Sequence, residues 1–315
     1  MKILFLTVGE NLDYQSDSLF HGLCSLPDNE VFILNEGDYD FMFTDLVPLE
    51  QRLKLYGMGY SISNRVPAEK KKVHSREEAK KNIAEKFYDL IVYGSILRCT
   101  ELLDDVLAVY PRHQVIFVDG EDPDYAFRLR RGSCGVRYFR MLARCKHLSR
   151  NGVYFKRELH ASLRKYFYPI SFAVPEENIV AEIPEKTRDL AFLKPGCRET
   201  YIYHTEQDYN QAYQESRFGM TFKKGGWDCM RHYEILANGC IPYFTDIDDL
   251  PPDTMIFFPR ELIKLTYRMY ETNTFGDSYD YYCGLLLEHT RTFLTTRFLA
   301  NYVLSTAAAL APEQA

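Results

Sequence analysis

The sequence predicts an α/β fold made of two parallel-sheet units that face each other across a central cleft, with a helical C-terminus. Three observations predict it. Short continuous apolar runs recur along the chain between turn residues, which is how strands buried on both faces read. Amphipathic or charged stretches of helical length separate them, so strand and helix alternate as parallel connections require. The alternation stops at a proline-containing segment, PISFAVPEENIV from Pro169 to Val180, and then resumes, dividing the chain into 1–168 and 169–315.

In order, KILFLTV (2–8) is a buried strand ending at Gly9, 16–26 a helix and EVFIL (30–34) the next strand. From Asn35 to Val73 the pattern is poor, with many aromatics, glycines at 57 and 59 and a basic run at Lys70–Lys72; this reads as an irregular insertion or a mobile loop. Ser75–Phe87 is a charged helix, DLIVYGS (89–95) a strand, Glu101–Tyr110 a helix, QVIFVDG (114–120) a strand and VYFKREL (153–159) a strand-like segment before a basic stretch. In the second half DLAFLKPG (189–196) restarts the alternation. A helix over 207–215, the strand FGMTF (218–222), the block GGWDCMRHYEILANGCIPYF (225–244), the strand MIFFP (255–259) and a helix from Arg260 follow, and the last 40 residues or so read as helical. Ligands of parallel sheets sit at the carboxyl ends of strands, here Gly9–Asp17, Gly94 with Ser95, and Asp119–Asp122.

The net charge of −6 argues against a general nucleic-acid binder, because phosphate backbones demand a basic surface. The eight cysteines are scattered, with no C-x-x-C pair and no zinc spacing, and read as reduced core residues of a cytoplasmic protein. The apolar start is too short for a signal peptide and no run approaches the ~20 residues of a membrane span, which leaves peripheral membrane contact open. Twenty-four tyrosines against one tryptophan suit a cleft for sugars or bases, although most such rings serve packing.

The 225–244 block concentrates the chemistry. Gly225 and Gly226 permit close backbone approach, and the helix after them offers free N–H groups and a positive dipole end to a phosphate. On that helix Arg231, Glu234 and Asn238 share a narrow polar stripe able to hold the rest of a nucleotide, opposite Cys229, Met230, Tyr233, Leu236 and Ala237. The same residues also describe an ordinary βαβ connection with Asp228 as N-cap and Gly239 as C-terminal glycine. Further cations within reach of a phosphate are Lys223 and Lys224, and Lys156 and Arg157 near the junction of the halves. For a base, Asp13, Asp17 and His21 share a helix face at a spacing of four, with Asp119, Glu121 and Asp122 as competing acids. D-x-D tripeptides at Asp38–Asp40, Asp122–Asp124 and Asp246–Asp248 are too frequent in an acidic chain to single one out, and no metal is expected. Gly57-Met58-Gly59 lacks the third glycine and preceding strand of a dinucleotide fingerprint, so no hydride-transfer cofactor is expected.

The block resembles the donor-binding region of GT-B glycosyltransferases, in particular the exostosin-like R-x-x-E…G-C-I-P pattern, through Arg231, Glu234, Gly239, Cys240, Ile241 and Pro242. LDYQSDSLFHGL (12–23) and YFKREL before PISFAVP are similar to segments of glycosyltransferase-like proteins in the same order. The resemblance implies two Rossmann-like domains, with a nucleotide-sugar donor on the C-terminal one and an acceptor on the N-terminal one. It implies Glu234 on the donor's ribose or sugar, and Arg231 with the backbone of Gly225 and Gly226 facing the diphosphate. Asp228, six positions before Glu234, departs from the common E-x7-E spacing. The expected activity is sugar transfer to a hydroxyl of a glycan or other acceptor, with the nucleotide-sugar as substrate and no cofactor. The alternatives are a nucleotide-sugar epimerase or hydrolase of the same fold, and a non-catalytic nucleotide- or glycan-binding protein.

Overall fold

A computed structural model describes residues 1–9, 11–34, 39–125 and 133–311, with 133–138 as backbone only. Its strands are β1 (Lys2–Leu6), β2 (Glu30–Leu34), β3 (Lys72–His74), β4 (Leu90–Tyr93), β5 (Val115–Asp119), β6 (Val153–Lys156), β7 (Tyr168–Pro169), β8 (Arg188–Leu190), β9 (Ser216–Thr221) and β10 (Ile241–Phe244). Its helices are α1 (Tyr14–Ser25), α2 (Leu49–Arg52), α3 (Arg76–Ala84), α4 (Leu103–Val109), α5 (Ser133–Asn151), α6 (Glu206–Gln214), α7 (Met230–Ala237), α8 (Arg260–Glu271), α9 (Tyr279–Phe293) and α10 (Thr296–Ala308).

Two parallel sheets result: seven strands in the order β3-β2-β1-β4-β5-β6-β7, and three in the order β10-β9-β8. Helices cover the large sheet on both faces, which is why β1, β4, β5 and β6 are apolar over most of their length and buried on both sides. Along β1, Ile3 and Phe5 join the core that includes Leu19 and Phe20 of α1, whereas Leu4 and Leu6 join the opposite core with Ile83 of α3 and Val106 of α4. Among the described residues no helix is long and apolar enough to cross a membrane.

The C-terminal helix α10 returns to the first unit, where Leu299, Ala300 and Val303 enter the core beneath α1. Gly22 makes the approach possible, since a Cβ there would lie 2.0 Å from the Thr296 carbonyl oxygen. The chain therefore crosses between the units twice, and the crossings pair: Val174 N–H donates to Leu294 O and Thr296 N–H to Val174 O, each at 2.9 Å.

Three expectations need correction. MIFFP (255–259) is not a strand; Met255 takes a left-handed φ of 53°, and Met255 and Phe258 pack into the second core as a turn. An apolar run reports burial, and burial does not require a ladder partner. The helix of the 225–244 block is shorter than three turns, eight residues from Met230. Helix α5 and the short edge strands β3 and β7 arise where the sequence pattern offered no clear period. The insertion within 39–73 is irregular as expected, formed of short helical turns with left-handed φ at Gly57, Met58, Gly59, Ser61 and Asn64.

Candidate active site

A cleft of about 680 Å³ lies between the two sheets. Most of its wall comes from segments that leave the carboxyl ends of parallel strands: Leu12–Tyr14 after β1, Arg98 after β4, Gly120 and Asp122 after β5, Arg157 after β6, Leu193 to Arg198 after β8, and Lys224–Gly226 after β9. The remaining side is closed by α7 and by Tyr56–Tyr60 of the insertion.

Arg231 and Glu234 stand on this wall, as the polar stripe of α7 predicts. The Arg231 guanidinium donates through Nη2 to Tyr201 Oη at 2.9 Å, while its Nε and Nη1 are buried with no hydrogen-bond partner. Unpaired buried donors on a cation are costly unless a ligand takes them up. Glu234 has no such freedom. Its Oε1 accepts from Ser61 Oγ and its Oε2 from Tyr209 Oη, both at 2.5 Å, so each carboxylate oxygen already serves a hydroxyl of the protein. Burial raises its pKa against the lowering effect of these two hydroxyls. Asn238 does not line the cleft. It ends α7, bonding Glu234 O, Asn210 and Gln214, because a helix C-terminus has carbonyls to satisfy.

The glycine pair also differs from its reading as a phosphate cradle. A Cβ at Gly225 would lie 2.2 Å from Asp122 Oδ2, and one at Gly226 would lie 2.4 Å from Glu158 Oε1. The backbone N–H of Asp228 donates to that same Glu158 oxygen at 2.9 Å. The anion at the glycine turn is thus a carboxylate of the first unit, and the close approach that glycine permits is used to join the units. Arg157 completes the junction. It donates to Gly120 O at 2.8 Å, Glu158 Oε1 at 3.0 Å, Asp228 O at 2.6 Å and the Asp122 carboxylate, and lies 4.9 Å from the Phe172 ring centre. Its cation is committed to the protein, as is that of Lys156, fully buried against Asp119 at 3.1 Å and absent from the cleft wall. Lys223 also leaves the wall, lying over Trp227 at 5.1 Å, whereas Lys224 lines the cleft.

Asp228 is not the N-cap of α7, which is Cys229. Its carboxylate accepts from Phe172 N–H at 2.9 Å and Tyr233 Oη at 2.7 Å. Burial pushes its pKa up to about 7, against the pull of Arg157 and of these hydrogen bonds. A folded-state pKa raised from 3.8 means the folded chain holds a proton that the unfolded chain has released, so the stability due to this group is present at acid pH and lost as pH rises through about 7. Asp228→Asn keeps an acceptor for Phe172 and a donor for the Tyr233 oxygen. It is expected to remove that part of the decline between pH 4 and 7, on the order of 3 kcal/mol or less, in urea unfolding across pH. An unchanged pH slope would contradict the assignment.

No family model matches this chain, and no curated protein matches it. Among solved structures it is similar to the spinosyn forosaminyltransferase SpnP, at 11% identity and a TM-score of 0.41 over 98% of this chain and 99% of that one. It is also similar to the glycosyltransferase VinC in complex with DTDP, at 10% identity and a TM-score of 0.40 over 98% of this chain and 100% of that one. Likeness at this depth carries nothing about substrate or activity, and the chemistry of the cleft rests on its own side chains.

Of the three residues grouped as base and orienters, the structure puts only Asp13 on the cleft. Asp13 caps α1, accepting from Gln15 and Ser16 N–H, with Arg98 3.5 Å from its Oδ2. Asp17 is enclosed, accepting from Asp13 N–H at 2.8 Å and from Tyr39 Oη, and burial drives its pKa up. His21 faces away into a separate crevice, 2.8 Å from Thr296 Oγ1 and 3.2 Å from Glu177. The spacing of four does not keep the three together: Asp13 caps α1 at the cleft, Asp17 turns to Tyr39, and His21 meets α10 at Thr296. Of the competing acids, Asp119 is buried under Tyr125, Tyr154 and Lys156, Glu121 pairs with Arg98 at 2.7 Å, and Asp122 reaches the cleft. Of the D-x-D tripeptides, Asp38 lies outside the described residues, and Asp246 and Asp248 are away from the cleft, Asp246 accepting from Lys223 N–H and Asp248 pairing with Lys264.

Sequence reasoning missed the tyrosines as a group. Tyr14, Tyr56, Tyr60, Tyr201, Tyr203 and Tyr209 all line the cleft. Their abundance was the available signal, but they come from four separate segments and no local pattern joins them. Arg198, exposed on the cleft wall, was also missed, for it stands in a short helical turn with no periodic pattern around it.

Proposed function

We propose that the protein is a glycosyltransferase of the GT-B type that moves a sugar from a nucleotide-diphosphate sugar to a hydroxyl acceptor. The observation that carries this reading is Arg231, a cation with two buried unpaired donors on the wall of a tyrosine-lined cleft between two parallel-sheet units. Its place in the R-x-x-E…G-C-I-P block supports the same assignment.

In this reading the second unit, 169–315, takes the donor and the first, 1–168, the acceptor. Arg231, Arg198 and Lys224 hold the diphosphate and stabilise it as it leaves, in a partly enclosed site where such contacts act more strongly than in water. The tyrosine rings offer apolar faces to base and sugar and hydroxyls to their polar edges. Glu234 acts as a positioning residue by fixing Tyr209 and Ser61. Asp13, at the mouth of the first unit, takes the acceptor proton. No metal or other cofactor enters this scheme, and loss of turnover on adding a chelator would remove that part of it.

Arg231→Ala is expected to weaken binding of the nucleotide diphosphate by ~10- to 100-fold, the worth of one or two charge-assisted hydrogen bonds, with the fold retained. Titration calorimetry with UDP, GDP and dTDP checks it; equal affinity in the variant would remove Arg231 from the site. The activity itself is tested with a panel of nucleotide-sugars, with and without hydroxyl acceptors. Nucleotide release that depends on acceptor supports transfer. Release without acceptor would replace transfer by hydrolysis, and binding without release would leave a binding protein.

A further inference from the structure

Helix α5 carries a charge that the rest of the chain does not. Between Asp124 and Glu158 the sequence has no acidic residue, yet Lys and Arg occur eight times from Arg128 to Arg150, in a chain of net charge −6. Within the described part of α5, Phe139, Arg140, Ala143, Arg144, His147 and Arg150 are exposed, whereas Cys145, Leu148 and Ser149 are buried against the first unit. At 100° per residue the six exposed positions fall within an arc of about 140°, so they form one face. No acid among the described residues pairs with Arg140, Arg144 or Arg150, while Lys146 is turned aside over the Tyr166 ring at 4.5 Å. Phe139 is 64% exposed at the edge of that basic face.

We propose that this face of α5 docks on an anionic lipid surface. A row of arginines with one exposed aromatic ring is the chemistry of an interfacial helix, in which cations meet headgroup phosphates and the ring enters the boundary layer. Charge segregation favours a surface over a small ligand, for the guanidinium groups spread along more than two turns of one exposed face. The placement suits a membrane-borne substrate as well. α5 joins the parallel strands β5 and β6, so it begins at the carboxyl edge of the large sheet, the edge that lines the cleft.

The test is co-sedimentation of the full chain with vesicles of phosphatidylcholine alone, and of phosphatidylcholine with 30% phosphatidylserine. Binding to the anionic vesicles only, weakened by raising salt, is expected. The triple variant R140A/R144A/R150A should partition about 100-fold less, each arginine contributing about 5-fold, and Phe139→Ser should partition less with charge unchanged. Circular dichroism and the urea midpoint verify that the variants remain folded. Equal binding to both vesicle types, absence of binding to the anionic ones, or undiminished binding of the triple variant would each overturn the proposal. So would tighter binding to a single-stranded oligonucleotide than to the vesicles, which would make the face a nucleic-acid surface. None of these outcomes depends on the transferase reading.

Discussion

Asp13→Asn is expected to lower kcat by 10² to 10⁴, the usual worth of a positioned general base, and to leave the affinity for nucleotide diphosphate unchanged. The substitution is clean for a structural reason. Asp13 caps α1 by accepting from Gln15 and Ser16 N–H, and asparagine caps a helix about as well as aspartate, so the start of the helix is kept while the proton acceptor is lost. The contact with Arg98 at 3.5 Å is also lost, but that arginine keeps Glu121 at 2.7 Å. Single-turnover transfer with saturating donor separates the chemical step from binding. A rate within threefold of the parent would take Asp13 out of the reaction and move the search to Asp122, the other carboxylate of the first unit on the cleft.

Arg157→Ala is expected to cost ~3–5 kcal/mol of stability, read from the urea midpoint, because it leaves buried acids without their cation. Arg157 is nearly enclosed between Glu158, Asp122 and the Asp228 carbonyl, and its removal strips both the charge pair and the hydrogen bonds that hold the glycine turn to the first unit. Burial already raises the pKa of Glu158, which Arg157 and the N–H groups of Asp228 and Trp227 hold down. Without Arg157 the carboxyl takes up a proton more readily, so the deficit should be larger at pH 8 than at pH 5. A loss below 1 kcal/mol, or a deficit that grows toward acid pH, would contradict this account.

The fold was largely legible because strands buried on both faces announce themselves: EVFIL is β2 residue for residue, and QVIFVDG contains β5. MIFFP carried the same apolar signal and misled, since its burial comes from turn packing in the second core. The second unit's side of the cleft was legible at Arg231 and Glu234, which one helical period aligns. The first unit's side was less so, because Asp17 and His21 follow the same spacing and yet meet Tyr39 and Thr296 away from the cleft. Helical spacing says which residues share a face, and only the docking of the whole helix says what the face meets. The glycine turn failed differently. Asp122 and Glu158, the carboxylates that fill it, lie far upstream of Gly225 and Gly226, and no local pattern in the sequence joins them.

The paired crossings at Val174 and Leu294–Thr296 limit how the protein can move. Two segments that cross side by side and exchange hydrogen bonds give a rotation of the units one shared pivot, and such a rotation must also break the Arg157 and Glu158 contacts at the glycine turn. The same pairing makes either unit hard to isolate by truncation. A fragment ending near residue 180 would leave the α1 face that α10 covers bare to water, and a fragment beginning there would carry α10 with no core to enter.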